Sequence, residues 1–188
     1  IQPYSQFCYA LSLYHVGEIY GELQDYESML QRHLQLYHLL QTWYVLDVKN
    51  RSINGIGRAY IGLKQFDNAL FYLKKIDKES EKGANLPFIA RNNHDLGFAY
   101  FQLEQFDIAT EYYQKALEIR QKNQLTNAIT TSYIAIGDVY IAQEKWEIAV
   151  DTFNKALITA KEHKTNRKIV TIYEKLSYLY EKLNQPKM

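Results

Sequence analysis

DLGFAYFQLEQFDIATEYYQKALEI, residues 95–119, carries the pattern that decides the fold. Gly97 is followed by Tyr100 three residues on, by Phe106 after nine and by Ala109 after twelve. Moving out in both directions, Gly17, Gly57, Gly97 and Gly137 stand 40 residues apart, with Tyr20, Tyr60, Tyr100 and Tyr140 at the +3 slot. Tyr26, Phe66, Phe106 and Trp146 fill the +9 slot, and Met29, Ala69, Ala109 and Ala149 the +12 slot. Leu36, Ile76, Ala116 and Ala156 follow at +19, and a fifth copy begins with Tyr173, Leu176, Ser177 and Tyr180. A fixed period of this length is the mark of stacked helical units rather than one compact domain.

At about 100° per residue, Ile53, Ile56, Gly57 and Tyr60 fall on one arc of a helix, so each unit presents a packing face around its glycine. Mid-helix glycine costs about 1 kcal/mol against alanine, and close approach of a second helix is the expected compensation. The alanines at +12 are expected on the facing side of that second helix, where small residues admit aromatic rings from its neighbours. Asp67, Asp107 and Glu147 open the second helices, where negative charge complements the helix dipole. The stretch SEKGANLPF at 80–88 reads as a loop at Gly83, an N-cap at Asn85 and an early helical Pro87, between repeats two and three of a single domain. Seventeen Tyr and eight Phe against three Pro and eight Gly favour long helices, and the predicted class is all-α.

These slots resemble the tetratricopeptide repeat (TPR), whose pattern is a bulky residue, Leu-Gly, Tyr, Ala, an aromatic and Ala on two antiparallel helices. The resemblance implies a right-handed α-solenoid, a TPR superhelix, spanning 1–188. Its four full repeats lie at about 10–49, 50–89, 90–129 and 130–169, with a partial fifth at 170–188. Asn93, Ser177 and Met29 depart from the pattern, and Gln41, Glu81, Gln121 and Lys161 replace the proline that usually closes the second helix. The 40-residue period, against the usual 34, is read as a second helix about one and a half turns longer. No second helix follows Pro186, so the terminal helix is expected to be uncapped and is a candidate surface for self-association.

Lys+Arg number 22 and Asp+Glu 21, so no global field draws the chain to nucleic acid or an anionic membrane. No run approaches the roughly 18 apolar residues of a spanning helix. A single cysteine, Cys8, cannot form an internal disulfide and reads as a small apolar residue. Together these give a soluble, cytoplasmic expectation. The start at Ile1 and the stop soon after a helical pattern read as an excised piece of a longer protein. Phosphate-binding glycine loops, cysteine pairs, HExxH and Gly-x-Ser-x-Gly are absent, so neither an enzyme nor a metal or other cofactor is expected. His33 and His38 lie five apart, about 140° round a helix, and read as packing or surface residues rather than a metal pair.

Opposite the packing arc runs a second arc, six and three residues before each glycine and one and four after it. By the resemblance, this arc lines a concave groove. It holds Leu11, Tyr14, Glu18 and Gly21; then Arg51, Asn54, Arg58 and Ile61; then Arg91, His94, Phe98 and Phe101; then Thr131, Ile134, Asp138 and Ile141. Arg51, Asn54, Arg58, Arg91 and His94 are expected to cluster there beside Phe98 and Phe101, with Asp138 further along. That set suits a partner carboxylate or phosphate next to an apolar side chain. Repeats that clamp chaperone C-termini place lysine and asparagine in paired slots, which here hold Tyr14 with Glu18 and His94 with Phe98, so that ligand class is not expected.

The reading is therefore a non-catalytic scaffold binding a protein or peptide in its groove. Units of this length rich in Tyr, Lys and Asn also resemble bacterial peptide-pheromone receptors, which implies a ligand-sensing domain coupled to an output domain outside this sequence. A third alternative is an accessory segment of a larger enzyme.

Overall fold

A computed structural model describes residues 3–41, 46–76 and 85–184. Gly83, Glu81 and Pro186 lie outside the described residues. Nine α-helices and no strand occur among them: α1 Pro3–Glu22, α2 Tyr26–Leu39, α3 Leu46–Gly62, α4 Phe66–Leu73, α5 Leu86–Gln102, α6 Phe106–Lys122, α7 Thr126–Ala142, α8 Trp146–Glu162 and α9 Asn166–Asn184. The fold is the all-α helical repeat that the spacing predicts. Two compact units divide the chain, Ile1–Phe88 and Ile89–Met188.

Helices α5 to α8 are each 17 residues long and are joined by three-residue turns. The 40-residue period is thus two equal halves, and the extra length is not carried by the second helix alone. This corrects the expected asymmetry. Without a proline, six of the described helices (α1, α3, α5, α6, α7 and α8) stop at a turn whose middle residue is left-handed, Gln24, Lys64, Glu104, Gln124, Glu144 and Lys164 all having φ between 53° and 60°, whereas α2 and α4 end on the right-handed Leu40 and Lys74. The following N–H returns to a carbonyl of the last helical turn, as from Gln105 N to Tyr100 O at 3.0 Å and from Lys145 N to Tyr140 O at 2.9 Å. This is the Schellman arrangement, which satisfies carbonyls that a helix end leaves open. Asn85 caps α5, its Oδ1 and carbonyl accepting from Phe88 N. Asp67, Asp107 and Glu147 sit in the first turns of α4, α6 and α8 as expected.

In the first unit α1 packs on α2, α2 on α3 and α3 on α4. A Cβ built on Gly57 would lie 2.5 Å from Leu73, and one on Gly17 would lie 2.7 Å from His33. Ala69 and Leu73 are fully buried, and the rings of Tyr60 and Tyr72 stack at 5.6 Å.

The second unit repeats the scheme. Gly97 faces Tyr113 and Gly137 faces Phe153, each with a would-be Cβ 2.7 Å away. Tyr100 stacks on Tyr112 at 5.5 Å. Helices α6 to α9 pack in sequence, and Ala149, Phe153, Ala156, Ile172 and Leu179 form a closed apolar core. Glycine opposite a bulky residue, and alanine opposite an aromatic, is how each layer reaches interior density.

Candidate functional site

The expected site residues divide between the units. In the first, all three lie on α3, and the structure changes the meaning of two of them. Asn54 is 2% exposed, so it does not line an open surface as expected: with its neighbours from Ser52 to Gly57 it is packed into the fold. Arg58 is half-buried and already engaged, its Nη1 donating to Glu18 Oε1 at 2.9 Å and Oε2 at 3.0 Å. Glu18 occupies the same slot one repeat earlier, so the pair ties α1 to α3 rather than presenting a bare cation. Arg51 is half-buried.

Beneath that pair lies His33 of α2, fully buried, with Nε2 3.6 Å from Glu18 Oε1. Gly17 and Gly55 press on its ring from α1 and α3, and Tyr14 meets it edge-on at 5.8 Å. Ser52 Oγ donates to the His33 carbonyl at 2.9 Å. His33 fills the slot that holds Leu73, Tyr113 and Phe153 in later repeats, a packing role, whereas His38 is exposed. Sixteen residues after each glycine, that slot was legible in the sequence.

The second unit keeps two of the expected residues open to solvent. Arg91 and Phe98, seven residues apart on α5, are both exposed, Phe98 by 36%. His94 and Phe101 are half-buried: His94 packs on Tyr113 with centroids 5.1 Å apart, and Phe101 on Phe106 at 5.9 Å. Burial, with the Arg120 charge behind it, pushes His94 down to about 4, so its imidazole is neutral at neutral pH. Asp138 on α7 lies 2.7 Å from Lys175 Nζ on α9, an ion pair without in-line hydrogen-bond geometry.

Sequence reasoning missed a buried cation in this unit. Arg120, at the end of α6, donates from Nη1 to Ser132 Oγ at 2.6 Å and to Ala128 O at 3.2 Å. Burial lowers its pKa, and Asp95 opposes that. Tyr113 is raised by burial and then by Asp138 and Asp95. Lys168, at the start of α9, donates to Thr131 Oγ1 at 2.7 Å and to the Asn127 carbonyl.

Among the described residues no group of three or more His, Cys, Asp or Glu could hold a metal ion, and Cys8 is exposed with a free thiol. No described helix is long and apolar enough to cross a membrane.

Two tetratricopeptide-repeat profiles match the sequence, at residues 88–162 and 51–82, which together make up more than half of it. The chain belongs to the tetratricopeptide repeat superfamily. No curated protein sequence matches it. Among solved structures, TPR-type folds align over nearly its whole length. The apo form of RapI shares 16% identity over 92% of this chain and 62% of its own, with a TM-score of 0.80. A Rap protein complexed with Competence and Sporulation Factor shares 14% over 93% of this chain and 52% of its own, also at 0.80. Kinesin light chain TPR-like repeats from Podosopora anserina share 16% over 90% of this chain and 84% of their own, at 0.75. The chain spans less than two thirds of the length of both Rap proteins. At these identities the likeness is one of fold, and the chain resembles the Rap proteins in that sense.

Proposed function

We propose that this TPR chain is a non-catalytic interaction module that holds a peptide or partner segment against the exposed side of its first helices. TPR families are generally interaction modules, which supports the coarse reading. The observation that carries the finer one is the pair Arg91 and Phe98 on α5: a cation and an aromatic ring, both exposed, on one line of the helix, where the neighbouring Tyr100 and Phe101 are spent on packing. An exposed ring with an arginine two turns away on the same face has the composition of a binding hot spot. Arg51, Arg58, His94, Phe101 and Asp138 border the two faces and shape them through their own contacts, while Asn54 supports α3 from within. The near-balanced charge supports a protein partner over nucleic acid or membrane, and a cytoplasmic setting fits that reading.

A second reading, a ligand-sensing domain coupled to an output domain elsewhere in a longer protein, is favoured by the likeness to a Rap protein crystallised with Competence and Sporulation Factor. The test of both begins with a random peptide display selection against the full chain, followed by calorimetry of the selected peptides. Phe98→Ala is expected to weaken binding at least tenfold without lowering the thermal midpoint. Equal affinity for the wild type and Phe98→Ala would remove this face from the account.

A further inference from the structure

Two cations from neighbouring helices meet at the start of α7. Arg120, from the last turn of α6, spends its Nη1 hydrogen bonds on Ser132 Oγ and Ala128 O. Lys168, from the first turn of α9, spends its own on Thr131 Oγ1 and the Asn127 carbonyl. All four acceptors are neutral oxygens of α7, and among the described residues neither cation has an ion-pair partner. An ammonium has three donors, so Lys168 keeps one beyond these two bonds. Lys168 is half-buried, Thr131 half-buried and Asn127 exposed, so this locus opens to solvent although Arg120 behind it is closed off.

The local field agrees with the geometry. Burial lowers the Lys168 pKa and the positive charge of Arg120 lowers it further. The same charge contributes to the lowering at His94. Asp95 acts on Arg120 in the opposite sense. Arg120, only partly offset by Asp95, disfavours the charge on Lys168, and the N-terminus of the 17-residue α7 lies at the same place with the same sign. Like charge gathered in this way is relieved by an anion held at the open side.

We infer that Lys168, with Asn127 and Thr131 beside it, forms an anion site that takes a carboxylate or phosphate group. In the reading above, on which this assignment of a source rests, the group is an acidic side chain or terminus of the bound peptide. Thr131 belongs to the same arc of the first helices as Arg91, so the site lies at the edge of the face proposed to hold the partner. Lys168 is the contact, and Arg120 acts through its charge.

The test uses the full chain and two kinds of probe. Sodium phosphate is compared with sodium chloride at equal ionic strength, following the thermal midpoint of the wild type and of Lys168→Gln, which keeps a donor but loses the charge. Phosphate stabilises most proteins by exclusion from their surface, so only the difference between the two proteins counts. The wild type is expected to gain at least 2 °C more than Lys168→Gln. Display-selected peptides and their Asp→Asn, Glu→Gln and amidated forms are then titrated by calorimetry. Loss of one acidic group is expected to weaken wild-type binding about tenfold and to leave Lys168→Gln unaffected. Equal phosphate gains in both proteins, with peptide binding indifferent to Lys168→Gln, would overturn the anion site and leave the peptide reading standing. A phosphate gain confined to the wild type, with no peptide bound by either protein, would keep the anion site and remove the peptide as its source.

Discussion

Gly97→Ala isolates the contact on which the whole repeat depends. A methyl at residue 97 would stand 2.7, 2.9 and 3.0 Å from Cδ1, Cε1 and Cγ of Tyr113. Ordinary carbon contacts lie at about 3.5–4.0 Å, so α5 and α6 would have to part by roughly 1 Å, or the ring would have to swing. The ring has nowhere to go, because Tyr113 is 2% exposed and is packed against His94. Overpacking of this kind costs about 1–3 kcal/mol, and alanine returns about 1 kcal/mol through its helix propensity. The expected net loss is about 1 kcal/mol, read as a lower urea midpoint at unchanged slope. The same change made in a Tyr113→Ala background has no ring to strike. There only the propensity gain remains, so Gly97→Ala is expected to stabilise that background by about 1 kcal/mol. The sign reversal is the decisive result. If Gly97→Ala shifts both backgrounds equally, close approach at the glycine is not what fixes the repeat.

Other perturbations test the turns, the half-buried His94 and the Arg58–Glu18 ion pair. Glu104→Gly is expected to raise stability by about 1 kcal/mol, because φ of 58° strains any residue with a Cβ, and Glu104→Ala is expected to bring no such gain in the same urea titrations. His94 has a folded pKa of about 4 against an ordinary 6.5, so the unfolded chain binds its proton first. Its contribution is whole above pH 6.5 and is lost as pH falls from 6.5 towards 4, by at most about 3 kcal/mol, and His94→Gln is expected to flatten that limb of a stability against pH curve. Arg58→Glu would set a second carboxylate against Glu18 and is expected to lower stability by roughly 1–3 kcal/mol, with Glu18→Arg in the same chain restoring most of it. Failure of that swap to restore the urea midpoint would show that the pair does not tie α1 to α3.

The fold was legible because its spacing is redundant: Gly97, Tyr100, Phe106 and Ala109 each repeat, and any one would have given the period. What hid from the sequence was how helix length is shared and how the chain stops. Left-handed residues such as Glu104 and Gln124 carry no glycine signature, since the Schellman bonds of the turn hold them in place. The inner arc was legible as geometry but not as chemistry. Its offsets located Arg58 and Glu18 one repeat apart, yet a list of residues on an arc does not say that the two will pair. Asn54 misled for a related reason, because a polar residue on the arc was read as solvent-facing when its whole stretch of α3 is packed. Arg120 and Lys168 escaped because each sits at a helix end, outside the repeating slots, and meets its neutral partners only through tertiary packing.

The central claim, that a peptide lies along the exposed side of the first helices, is tested most directly by site-specific photocrosslinking. A benzophenone amino acid placed at Phe98 on α5, or at the more exposed Phe71 on α4, is irradiated with a peptide taken from the display selection. The account predicts a covalent adduct through residue 98, competed away by unlabelled peptide, and none through residue 71. Competable adducts at residue 71 and none at residue 98 would place the partner on the second helices and contradict it.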